Sequence, residues 1–123
     1  MNKIGTTLVL LAASWPLAAH HGGSIFDPAQ TVTVTGTVTD FQFVNPHVLV
    51  YLAVNGEAGP VQWGGELTSP NRLARMNGAV KWHKTILEPG DSVTMTGHPA
   101  RNGAPAMDIT KLVHSDGTVL IGE

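Results

Sequence analysis

The stretch from Thr31 to Val54, TVTVTGTVTDFQFVNPHVLVYLAV, constrains the fold of this chain more than any other. Val32, Val34, Gly36 and Val38 fall on one parity and Thr31, Thr33, Thr35 and Thr37 on the other, the period-2 pattern of a half-buried β-strand. After Asp40 the bulky residues Phe41 and Phe43 move to the other parity, which requires a bulge or bend, and Gly36 offers a second bending point. Asn45-Pro46-His47 turns the chain. In the returning arm Val48, Val50, Leu52 and Val54 alternate with Leu49, Tyr51 and Ala53, so both faces are apolar. A long bent strand paired to one covered on both sides predicts a small closed barrel rather than a flat sheet.

The rest of the chain supplies matching elements. Asn55 to Pro60 is turn chemistry, and a third strand is expected over 61–67, kinked at Gly64-Gly65 where backbone approaches closely or a barrel turns a corner. Ser69-Pro70 is a helix start, with Leu73 and Met76 three apart, and predicts a helix over 70–77 that Gly78 ends in the left-handed conformation. Residues 79–87 are either more helix or an irregular connection that carries Trp82 inward. Glu88-Pro89-Gly90-Asp91 is a turn, followed by strands over 92–99 and 106–114 and a short end strand over 118–121. With the first two strands at 31–44 and 47–54, the fold class is mainly β. The order is that of an OB-like five-stranded Greek-key barrel with one short helix between strands three and four. Val34, Val38, Val50, Leu52, Leu73, Val93, Met95 and Ile109 are the expected core.

The N-terminus has the build of a cleaved secretory signal: Lys3, the apolar run Leu8 to Ala13, and Pro16-Leu17-Ala18-Ala19 before a cut after Ala18 or Ala19. The run is too short for a membrane span. The expected organisation is a signal over 1–19, an N-terminal arm over 20–30 pinned by Phe26, and the barrel over 31–123, in a periplasmic or secreted protein. Of 123 residues, cleavage after Ala19 leaves 104, enough to bury about 60–70% of the unfolded surface. Loss of Lys3 leaves six basic residues against nine acidic ones, so no basic face is offered to nucleic acid. The absence of cysteine rules out disulfides, thiolate metal sites and thiol catalysis. No later apolar run reaches membrane length, and the sequence does not specify an oligomeric state.

These motifs together resemble a family of small exported bacterial proteins of uncharacterised function. The shared features are His20-His21 just past the signal, Phe26-Asp27, Thr35-Gly36-x-Val38, Asn45-Pro46-His47, Trp63, Pro70-Asn71-x-Leu73 and Leu87-x-Pro89-Gly90-Asp91. Gly22-Gly23 after the histidine pair and Gly64-Gly65 after Trp63 depart from that pattern. The resemblance implies export and a barrel fold, and no reaction. The layout is similar, more loosely, to bacterial OB-fold exported proteins that bind small or cationic ligands.

Six histidines and no cysteine make nitrogen ligation the chemistry to consider. A cut after Ala19 gives His20 a free α-amine beside its imidazole, a bidentate chelate. A cut after Ala18 gives Ala19-His20-His21, whose amine, two backbone amides and third-position imidazole suit square-planar Cu(II) or Ni(II). His47, at the first hairpin turn, is the expected additional ligand if the arm crosses that mouth. The metal site is thus assigned to His20, His21 and His47, with copper as first choice. The competing readings are a plain histidine-containing terminus and a turn histidine with a satisfied ring. His98 and His114 qualify only if the barrel brings them to the same mouth, and His83 reads as surface. Trp63, Phe41, Phe43 and Tyr51 are read as packing rather than a base-stacking platform, because the chain is acidic. Glu66, Asp27 and Asp40 are read as solvated or capping carboxylates. The resulting expectation is a binding module for a metal ion or small ligand. Two alternatives stand beside it: an envelope interaction or stress-related protein with no metal, and a copper redox enzyme built on His20.

Overall fold

The computed structural model describes residues 24–122. The expected signal over 1–19, together with His20 and His21, lies outside the described residues. Strand β1 (Val32–Gln42) carries the bend that its change of parity requires. Its first half pairs antiparallel with β4 (Ser92–Pro99), from Val32↔Gly97 to Thr37↔Ser92; its second half pairs with β2 (Leu49–Gly56), from Thr37↔Ala53 to Gln42↔Leu49. Thr39 is the extra residue in the register, which jumps from Val38↔Leu52 to Asp40↔Tyr51. Its Oγ1 donates to the Tyr51 carbonyl at 3.3 Å. At Gly36 a Cβ would run into the Ala53 carbonyl oxygen, so the close approach of β2 at that point requires glycine.

The barrel closes at β3 (Gly59–Glu66). This strand is antiparallel to β2 along its length and parallel to β5 (Ala106–His114) at Gly64↔Ala106, Gly65↔Met107 and Glu66↔Asp108. β5 in turn is antiparallel to β4, which completes the circuit β1-β2-β3-β5-β4, and β6 (Val119–Ile121) adds to β5 outside it. The expected five-stranded OB-like barrel is the one found. Gly65 sits on the closing seam, where a Cβ would push into Ile109 and the Met95 sulfur.

Val38, Val50, Leu52, Val93, Met95, Met107, Ile109 and Leu112 fill the interior. Full burial of one such aliphatic side chain contributes about 1.5–3 kcal/mol. All of the expected core residues are buried except Val34, which packs against the core with part of its surface exposed. It lies in the half of β1 that pairs with β4 and has no β2 neighbour. Phe41, Phe43 and Trp63 also pack against the core, with the two phenylalanine rings 6.2 Å apart.

Helix α1 (Pro70–Arg75) lies between β3 and β4 as expected, with Ser69 accepting from the Arg72 N–H at 3.3 Å and Leu73 buried. It stops two residues before the expected end. Met76 is extended (ψ 133°) with its N–H bonded to the Leu73 carbonyl, and Gly78 does not take a positive φ. A helix this short is held by its one buried leucine rather than by propensity. The connection to β4 is irregular and buries Trp82 and Leu87.

The first hairpin connection spans residues 43–48, so β1 ends earlier and β2 starts later than the pattern of residues suggests; the Asn45–Pro46 bond within it is cis. Val48 is tied to the end of β3: its N–H donates to the Thr68 carbonyl at 3.1 Å, and the Leu67 N–H donates to the Val48 carbonyl at 2.8 Å. The arm pairs with residues 99–101. Phe26 bridges to Ala100, the Asp27 N–H donates to the Pro99 carbonyl at 2.9 Å, and the Arg101 N–H donates to the Ile25 carbonyl at 2.9 Å.

Candidate functional site

His47 owes its place to backbone rather than to its own ring. The Val48 bonds to residues 67 and 68 fix the return of the hairpin beside the end of β3, and there His47 Nδ1 meets Glu66 Oε1. Glu66 points outward because Gly65, its neighbour, faces the core, and side chains alternate along a strand. Asp108 is exposed by the same rule, between buried Met107 and Ile109, and it is in register with Glu66 on the adjoining strand. The result is a depression of about 300 Å³ whose lining includes Ser24, Phe26, His47, Glu66, Thr68 and Asp108. Among the described residues no lysine or arginine lines it, so the two carboxylates give it a negative character. The His47 side chain is 52% exposed and that of Glu66 29%, so the pair is open to solvent and to ligands.

The arm takes part. Ser24 and Phe26 belong to this lining, and the Ser24 carbonyl accepts from Arg101 Nε at 3.0 Å. The described part of the arm therefore reaches the hairpin mouth that the sequence reading required it to cross. Among the described residues no three His, Cys, Asp or Glu side chains gather into a metal-holding group; His47 and Glu66 form a pair.

The other histidines are elsewhere. His98 donates from Nδ1 to the Gln30 carbonyl at 2.8 Å, under the arm. His114 ends β5, six positions past Asp108 and about 20 Å along the strand. There its Nδ1 accepts from the Asp116 N–H at 3.2 Å, and its Nε2 lies 3.8 Å from Asp91. His83 is exposed and accepts at Nδ1 from the Thr85 N–H at 3.3 Å. None of these three lines the depression with His47.

The acidic residues divide in the same way. Asp27 accepts from the Ala29 N–H at 3.0 Å and from Gln30 Nε2 at 2.9 Å, and those bonds, with Arg101 nearby, hold its carboxyl below the usual aspartate range. Asp40 accepts from Gln42 Nε2 at 2.8 Å. Asp27 thus closes a turn and Asp40 is an exposed, solvated carboxylate, the two roles read from the sequence. Glu66 is different, since its partner is His47. The sequence reading missed that pairing and did not consider Asp108; both depend on the parallel seam, which no local pattern announces. A larger, apolar hollow of about 420 Å³ lies between the α1–β4 connection and β6, lined in part by Met76, Ala79, Trp82, Val119 and Ile121, and among the described residues no ionisable group lines it.

What the arrangement offers is the His47–Glu66 pair at the rim of one solvent-open hollow, with Asp108 also in its lining. Among the described residues no helix is long and apolar enough to cross a membrane. No curated protein matches the chain. A family model does match residues 8–118, nearly the whole sequence, and on that match the chain belongs to the family of unknown function DUF6152.

Proposed function

We propose that this protein is a small exported binding module for a divalent metal ion, copper first, held by His20 and His21 with His47 as the additional ligand. One observation carries the reading: Ser24 of the arm lines the same depression as the His47–Glu66 pair. His20 is four residues before Ser24, and an extended chain spans at most about 3.3–3.6 Å per residue, so both histidines are within covalent reach of His47. A terminal amine and imidazoles favour Cu(II), and the carboxylates raise the local attraction for any cation. A copper redox enzyme built on the same ligands is the alternative that copper-dependent oxygen or peroxide turnover would favour.

The test is titration with Cu(II) of the correctly processed protein, of a version with an additional N-terminal methionine, and of His47→Ala. Blocking the amine should weaken binding at either cleavage point, and His47→Ala should weaken it further because the arm returns to the barrel. Affinity should also fall steeply below the ordinary histidine range of about 6.5, since ligands must shed protons. Equal affinity with free and blocked termini would remove the N-terminal site. An effect of blocking with none of His47→Ala would leave a terminal chelate in which the fold has no part, and no stoichiometric uptake would favour an envelope interaction protein without metal.

A further inference from the structure

The ring of His47 is turned toward a carboxylate, and the direction of that turn decides which nitrogen is available. His47 Nδ1 faces Glu66 Oε1. A carboxylate oxygen has only lone pairs to offer, and a bare ring nitrogen has another, so the two would repel unless Nδ1 carries the hydrogen. In the neutral ring this leaves the lone pair on Nε2, at the opposite corner. We propose that Glu66 is a positioning residue: it holds His47 in the Nδ1–H tautomer and thereby presents Nε2 as the metal-binding atom. The consequence for affinity rests on the metal reading above; the tautomer itself does not.

The surroundings argue for a fixed arrangement. Glu66 is the last residue of β3, between Leu49 of β2 and Asp108 of β5 in register, so its backbone is held from both sides. His47 is followed at once by Val48, which is fully buried and bonded to residues 67 and 68. Both partners are therefore anchored by neighbours within one residue, although both side chains remain solvent-accessible. The comparison with His83 sharpens the point. That ring accepts at Nδ1 from the Thr85 N–H, which commits the hydrogen of the neutral ring to Nε2. His47 is turned the other way, and a metal-ligating histidine that donates its second nitrogen to a carboxylate is oriented and made more basic by it.

The experiment has two readouts. The first is ring nitrogen NMR of the metal-free protein at about pH 8, above the ordinary histidine range of about 6.5. His47 should show the Nδ1–H form, the minor one for free imidazole, and Glu66→Ala should return it to the Nε2–H form. Glu66→Gln keeps a carbonyl acceptor and should retain the Nδ1–H form, which separates orientation from general damage to the fold. The second readout is Cu(II) titration of the processed protein. Glu66→Ala should lower affinity about 10- to 100-fold, as loss of an orienting carboxylate does, and Glu66→Gln should lower it less. An Nε2–H tautomer in the unsubstituted protein would overturn the proposal, as would a tautomer change in Glu66→Ala with unaltered copper affinity. A protein in the Nδ1–H form that takes up no copper would overturn the metal reading and leave the hold of Glu66 on His47 standing.

Discussion

Single residues in this chain acquire their roles from what the fold sets beside them. His47 was recognisable in the sequence because Asn45-Pro46 marks a turn, yet its partner Glu66 stands nineteen positions away on β3 and reads locally as a solvated carboxylate. Asp27 is the opposite case, since its partners Ala29 and Gln30 are near neighbours and its turn-closing role follows from Asp-Pro alone. Its lowered pKa, caused first by the Ala29 N–H and then by the Gln30 amide, has a definite sign. A carboxylate more acidic in the folded than in the unfolded state stabilises the fold above its unfolded pKa, about 3.9, and loses that contribution as pH falls through the lower folded value. Asp27→Asn should therefore be less stable than the unsubstituted protein at neutral pH, and the two urea midpoints should converge in strong acid. A constant gap down to the lowest pH at which both fold would mean that the charged form contributes nothing.

At the scale of elements, β3 is where the sequence reading is tested hardest. Gly64-Gly65 looked like a weak point in a strand and is the place where β3 meets β5 in parallel. The two glycines are not equivalent. Gly65 faces inward, and a methyl there would press on Ile109 and Met95, whereas one on Gly64 would meet the Tyr51 ring at 3.4 Å, an ordinary contact. Gly65→Ala should cost about 1–3 kcal/mol as an overpacked core does. Gly64→Ala should stay within about 0.5 kcal/mol of the unsubstituted protein. Urea unfolding of the two variants checks this, and equal midpoints would contradict the seam. The helix teaches the complementary lesson. Ser69-Pro70 correctly marked its start, because a cap is a local bond, while its end two residues short of expectation follows from Met76 turning extended so that the chain can go on to bury Trp82 and Leu87.

For the whole molecule, the barrel explains how a cysteine-free chain of this size can hold together by packing alone. Five strands closed into a circuit leave one continuous core, to which Leu73 of the helix and Leu120 of β6 also belong. Stability without disulfides is compatible with export, which the first nineteen residues predict. Protein recovered from the exported fraction should have an intact mass that begins at Ala19 or His20. A chain that still begins at Met1, or that stays with the membrane fraction, would overturn the signal reading and with it the free amine on which the terminal chelate depends.

The sequence by itself determined the strands, the bulge, the start of the helix and the fold class, because alternation, turn residues and caps act over a few positions. The β4 and β5 boundaries coincide with the expected 92–99 and 106–114 for that reason. Only the tertiary structure decided which strand closes on which, and hence that Glu66 stands in register with Asp108 and meets His47. A parallel contact between residues forty-two positions apart leaves no periodic trace in either strand, since its register is set by how the intervening helix and hairpins pack, and the composition of the candidate site is a consequence of that register.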